Sequence, residues 1–320
     1  MVKIMYSMEE FIQKIADIAN MKLGESYKVK VHTIEKINTG KQTALIIMDN
    51  RGNISPNFYP GSFYSGYISG VYTIAKVADI VINEYHSIKG IIQDNKETAM
   101  HLSEKEWVNE RLFIQLINNN QNTSFLNDAV YSDYAGLSLV LYVLVSDDGD
   151  GIAKVKVTKN MCRNFGWEEK EILAYALENT VKLFPAEVCT IEKRLGRFMN
   201  VEAGDITITD SQDFDGSGLM VLSNKRGMYG ATAVFYPGVL RNIAEKKGTG
   251  LFLIPSSIHE FIVIADNGLY APQDLENMLM EVNSTEVTLD EILSDNLYYY
   301  SYENGRLSVL NAESKEQVVL

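Results

Sequence analysis

The residues Pro255-Ser256-Ser257-Ile258-His259-Glu260 set hydroxyl, imidazole and carboxylate side by side. A serine that gives its proton to a histidine, with an acid orienting the imidazole, is the arrangement of nucleophilic acyl transfer. Ser257 and His259 are therefore the catalytic candidates, and Ser256, Ser257, His259 and Glu260 the candidate binding residues. Side chains alternate along an extended chain, so Ser257, His259, Phe261 and Val263 share one face and Glu260, Ile262 and Ile264 the other. Glu260 cannot orient His259 without a bulge, and the acid would come from elsewhere, for instance Glu178 or Asp295. The surroundings lack the Gly-x-Ser-x-Gly elbow that exposes a nucleophilic serine. A plainer reading competes and is favoured. In it Pro-Ser-Ser is a turn whose hydroxyls satisfy backbone groups, and His259 ties a strand end.

Other chemistries find less support. His32, His86, His101 and His259 are scattered, with no His-Glu-x-x-His and no Cys-x-x-Cys, so no metal is expected. Acidic glycine loops occur at Asp210–Gly216 and Asp147–Gly151. With Gly216 or Gly151 in the sixth place, Ser211 or Ser146 stands first and Leu222 or Val157 twelfth, where calcium loops need Asp and Glu. Neither phosphate-binding glycine pattern appears, and no cofactor is expected. Cys162 lies near Lys159 and Arg163, yet burial is the commoner fate of such a cysteine.

A formal charge of −13 and a pI near 4.9 oppose a phosphate backbone, and the basic stretches Lys193-Arg194 with Arg197, and Lys246-Lys247, are small. Glu168-Glu169-Lys170-Glu171 opens the second helix of the helix pair around Gly166 and would repel DNA. No nucleic-acid partner is expected; the protein or small-molecule partner is left open. Two cysteines fit a reducing compartment, and no apolar run approaches the roughly 20 residues that span a bilayer. The expectation is a cytoplasmic chain with no membrane partner.

Periodicity and punctuation predict the elements that hold these residues. A helix capped by Ser7 ends at Gly24. Two strands follow, through Tyr27–Thr33 and Ala44–Met48, with a further turn at Asn50–Asn53. Aromatic Phe58–Gly70 reads as packing, with ligand stacking the alternative. A helix covers Val71–Tyr85, and 107–117 fits strand or helix. Leu137–Val145 and Ile152–Val157 form a hairpin; Thr158 caps a helix that stops at Gly166, and a longer helix carries Ile172 to Val181. Residues 219–265 read strand, strand, helix, strand, strand, with Pro237 opening and Gly248 closing the helix. Helices near Gln273–Val282 and Leu289–Leu293 precede a hairpin turning at Asn304-Gly305. The fold class is α+β, with mixed or antiparallel sheets and flanking helices. The polar run Asn118–Asn122 suggests an N-terminal α/β region at 1–120 and a C-terminal α+β region at 121–320.

Five blocks occur in order: Asn53-Ile54-Ser55-Pro56, Ala176-Leu177-Glu178-Asn179-Thr180, Gly230-Ala231 with Tyr236-Pro237-Gly238-Val239-Leu240, Ile254 to Glu260, and a tail through Glu281-Val282-Asn283, Leu293-Ser294-Asp295 and Tyr298-Tyr299-Tyr300. Together they resemble a family of intracellular proteins from anaerobic gut Firmicutes known only as a domain of unknown function. The chain departs from that pattern at Phe58–Gly70, where the family is richer in acids. The resemblance implies no activity. Three functional classes stand: a non-catalytic intracellular binding or regulatory protein, a hydrolase-like enzyme using Ser257 and His259, and an acidic interaction protein or nucleic-acid mimic.

Overall fold

A computed structural model describes residues 5–49, 56–88, 100–149, 151–191, 193–194 and 219–310. The turn at Asn50–Asn53, the loop Asp210–Gly216, and Arg197 lie outside the described residues. The chain is α+β and divides into two compact units, residues 1–108 with 145–153, and residues 109–144 with 154–320.

In the first unit, Ser7 caps α1 (Met8–Leu23) through a capping box: its hydroxyl accepts from the Glu10 N–H while the Glu10 carboxylate accepts from the Ser7 N–H. Phe11, Ile12, Ile15, Ala16 and Ala19 form the buried stripe. Strands β1 (Tyr27–Lys36) and β2 (Gly40–Asp49) pair antiparallel, with β3 (Asn57–Phe58) beside β2. The aromatic segment packs inward through two of its rings: Phe58 and Tyr67 are buried, and Tyr67 stacks on Phe11 at 4.8 Å. It contains the short helix α2 (Tyr64–Ile68) and precedes α3 (Ile74–Ser87), which Thr73 caps. The ambiguous stretch 107–117 holds both structures, the end of α4 (Lys105–Asn109) and then a strand.

That strand, β4 (Leu112–Asn118), begins the second unit and is buried along its whole length. It pairs antiparallel with β6 (Leu137–Asp147), whose other side takes β5 (Tyr131–Tyr134) and β7 (Ile152–Lys156). Asn118–Asn122 leads within this unit to the small helix α5 (Thr123–Leu126). Thr158 and Gly166 bound α6 (Lys159–Phe165), and α7 (Glu169–Leu183) follows. The free edge of β4 is sealed by side chains. Thr180 accepts from the Ile114 N–H at 2.9 Å, Thr232 from the Leu116 N–H at 3.1 Å, and Asn179 donates to the Leu112 carbonyl at 2.8 Å. A buried edge needs such partners, because an unpaired backbone amide away from water is costly.

The larger sheet has six antiparallel strands in the order β13-β12-β10-β11-β9-β8. These are β8 (Ala186–Thr190), β9 (Met220–Asn224), β10 (Leu251–Ser257), β11 (Glu260–Ala265), β12 (Tyr298–Tyr300) and β13 (Leu307–Val309). Its centre is covered on both faces. Leu251, Leu253, Phe261 and Val263 join the main core with α8 (Val239–Lys247), while Phe252, Ile254 and Ile264 pack with Leu275 and Leu279 of α9 (Pro272–Thr285). Burial on both faces gives β10 its unbroken apolar run.

Three details correct the sequence reading. The second strand expected within 219–265 is a 3-10 helix, Gly230–Phe235. Its residues 230–234 are buried, and a short run apolar all round carries no period that separates strand from helix. Pro237 precedes α8 rather than opening it: Gly238, at φ 77°, is the N-cap. Residues 289–291 form a turn, not a helix, and residues 292–297 form no regular element before β12. Among the described residues no helix is long and apolar enough to cross a membrane.

Candidate functional site

The Ser-Ser-Ile-His-Glu segment is the corner between β10 and β11. The register slips between Pro255 and Ser257, and Ser257 then faces Glu260 across the turn. Ser256 is partly buried and Ser257 buried. The Ser257 hydroxyl accepts the backbone N–H of His259 at 3.1 Å, a local bond that closes the turn. The Ile258 N–H donates to the Glu291 carbonyl at 2.9 Å, and the His259 carbonyl accepts from the Ser223 hydroxyl at 2.8 Å.

The His259 ring is equally engaged. Its Nδ1 accepts the Tyr229 N–H at 3.0 Å, which leaves the ring proton on Nε2, 3.3 Å from a Glu291 carboxylate oxygen. The Tyr229 ring lies over the imidazole at 5.7 Å and 27°. Tyr229 holds a left-handed backbone at φ 56°, and Gly230 after it is pressed against β9 and the corner. A β-carbon at Gly230 would lie 2.5 Å from the Asn224 nitrogen and 2.7 Å from the His259 carbonyl. Glycine is what allows the chain to pass.

The remaining members of the motif point elsewhere. Glu260 receives Arg194 through Nη2 at 2.8 Å and Nε at 2.9 Å. Glu178 is exposed, and Asp295 accepts from Asn283 at 2.8 Å. The acid beside the imidazole is Glu291, which lies 32 positions from His259 and carries no sequence signal of that role. Ser257 and His259 are thus neighbours in one turn, with the hydroxyl and both ring nitrogens bonded to other groups. Cys162 is buried, its thiol 3.4 Å from the Trp167 carbonyl, and burial pushes it up, with Glu169 and Glu168 adding to this.

A second polar cluster shares Tyr229 and was not among the candidates read from sequence. Lys154, from β7, places its ammonium 3.5 Å from the centre of the Tyr229 ring and 4.7 Å from that of Tyr142 on β6, and donates to Oε1 of Gln115 on β4. Ring faces attract a cation. Removal from water acts against it and dominates, bringing Lys154 down to about 7. Tyr142 is raised, first by burial and then by Tyr229; Tyr229 is raised by burial and then by Glu291. Gln115 Nε2 and the Tyr142 hydroxyl are buried with no hydrogen-bond partner among the described residues. The legible trace of this cluster is Gln115, one polar residue inside the apolar run Leu112-Phe113-Ile114-Gln115-Leu116-Ile117. Lys154 itself alternates with apolar neighbours and reads as a solvent-facing strand residue.

Among the described residues no group of three or more His, Cys, Asp or Glu side chains could hold a metal ion. Comparison with known proteins places the chain in one family. The model of DUF5688, a family of unknown function, matches residues 8–302, so the chain belongs to that family. No curated protein matches, and no solved structure does.

Proposed function

We propose that this member of the DUF5688 family is a non-catalytic intracellular binding or regulatory protein, with its β-rich second unit as the scaffold. One observation carries the reading. The serine and histidine that most resemble catalytic machinery are spent on holding a corner: the hydroxyl takes the His259 amide, and the imidazole bridges the Tyr229 amide and Glu291. A general base has to reach the proton of its nucleophile, and here the base accepts a backbone proton instead.

The test is a fluorophosphonate probe on the full chain, with labelled peptides located by mass spectrometry. The expected result is no labelling at Ser257. Labelling at Ser257 that disappears in His259→Gln would overturn the reading and establish the hydrolase-like alternative.

A further inference from the structure

Polar groups buried without partners are uncommon, and each asks for a reason. Two meet around Lys154, and both are hydrogen-bond donors: Nε2 of Gln115 and the hydroxyl of Tyr142. Gln115 is fully buried and Tyr142 nearly so, while Lys154 and Tyr229 keep part of their surface in water. The cluster is therefore a polar interior with a partly open side, holding one amine and two idle donors.

From this geometry we propose that Lys154 is a carbamylation site, its Nζ reversibly capturing carbon dioxide as a carbamate whose two oxygens accept from Gln115 Nε2 and the Tyr142 hydroxyl. In the step the amine lone pair forms an N–C bond to the carbon of CO2. One C=O π pair moves onto oxygen, and one N–H proton leaves to water. Nothing is oxidised or reduced, and the charge at the side-chain end passes from 0 in the free amine to −1; the ammonium form must first lose its own proton to water.

Three features favour this electrophile. It has three atoms and needs no large cavity. Its product presents two acceptors, matching two donors. The amine has no carboxylate bonded to it among the described residues, so no ion pair holds it protonated. Burial keeps a substantial share uncharged and nucleophilic near neutrality. The groups facing it are Tyr142 from β6, Tyr229 ahead of the 3-10 helix, and uncharged Gln115 from β4; His259 stacks with Tyr229, and Glu291 bonds His259. The two ring faces hold the ammonium and repel an anion, so capture competes with protonation and depends on the two donors.

The experiment uses the full chain in 13C-labelled bicarbonate, with carbon NMR at constant dissolved CO2. A carbamate resonance is expected that grows as pH is raised from about 6 to about 8, as the amine loses its proton. It should vanish in Lys154→Met and fall several-fold in Gln115→Leu. Independently of any variant, trialkyloxonium trapping on the wild-type chain should place the esterified adduct on the peptide bearing Lys154. No resonance, a resonance unchanged in Lys154→Met, or a trapped adduct only on other peptides would overturn the proposal.

Discussion

The corner at His259 and the cluster at Lys154 share one tyrosine, Tyr229, and they differ in how completely their polar groups are paired. At the corner, hydroxyl, imidazole and backbone amide each meet a partner at 2.8–3.3 Å. Around Lys154, two buried donors meet none among the described residues. The residue types that suggest catalysis are therefore the ones whose hydrogen-bonding groups are already engaged. The unremarkable types, a lysine, a glutamine and a tyrosine, hold the unspent hydrogen-bonding capacity. Side-chain identity proposes chemistry; pairing decides whether the group is free to perform it.

That contrast can be broken at several points. The largest effect is expected at Gly230, where a methyl group would meet backbone of both β9 and the corner. Gly230→Ala should cost about 3 kcal/mol, the upper range for overpacking a rigid site, measured by urea unfolding of the full chain. A wild-type midpoint would show that the corner yields, and that its bonds do not define it.

The Lys154 cluster should reveal itself through pH. The folded state holds Lys154 near 7, whereas an unfolded lysine titrates near 10.4. Between those values the unfolded chain binds more protons, so stability rises with pH, by at most about 1.4 kcal/mol per unit. Part of that is lost to screening through the exposed part of the side chain, leaving roughly 2 kcal/mol between about pH 7 and 9. Lys154→Met should flatten this slope and be more stable than wild type at pH 7. A slope that survives the substitution would remove Lys154 as its source. Burial raises the tyrosines, Tyr299 to about 12, and they act in the opposite sense above about pH 10, where unfolded tyrosines ionise first.

The smallest effect belongs to the serine. Ser257→Ala removes the acceptor for one turn amide and should cost about 1 kcal/mol, the worth of a single hydrogen bond. A loss several times larger would mean that the hydroxyl carries more of the corner than this one bond.

The sequence made the punctuated parts of the fold legible. Ser7, Gly24, Thr158, Gly166 and Gly248 bound the helices they were read to bound, and Gly305, at φ 67°, turns the last hairpin. These signals are local, set by which residues tolerate a cap or a left-handed backbone. Residues 230–235 were misread because their conformation follows from what surrounds them. The strand junction at Ser257 was legible from its neighbours, whereas the partners of His259 come from positions 229 and 291. Lys154 was illegible for a related reason. Its alternation on β7 predicts which face it takes, and only the packed strands show that this face is covered by Tyr229.

The seal along β4 has a consequence for how the chain is made. Two of the groups that close it come from positions 179 and 180, and another from position 232. During synthesis the strand leaves the ribosome well before them. For that interval a seven-residue, mostly apolar ribbon stands with one row of amides and carbonyls open, a template for any neighbouring nascent chain. The unfinished chain is therefore expected to be more open to misassembly than the finished fold, whose edge is sealed.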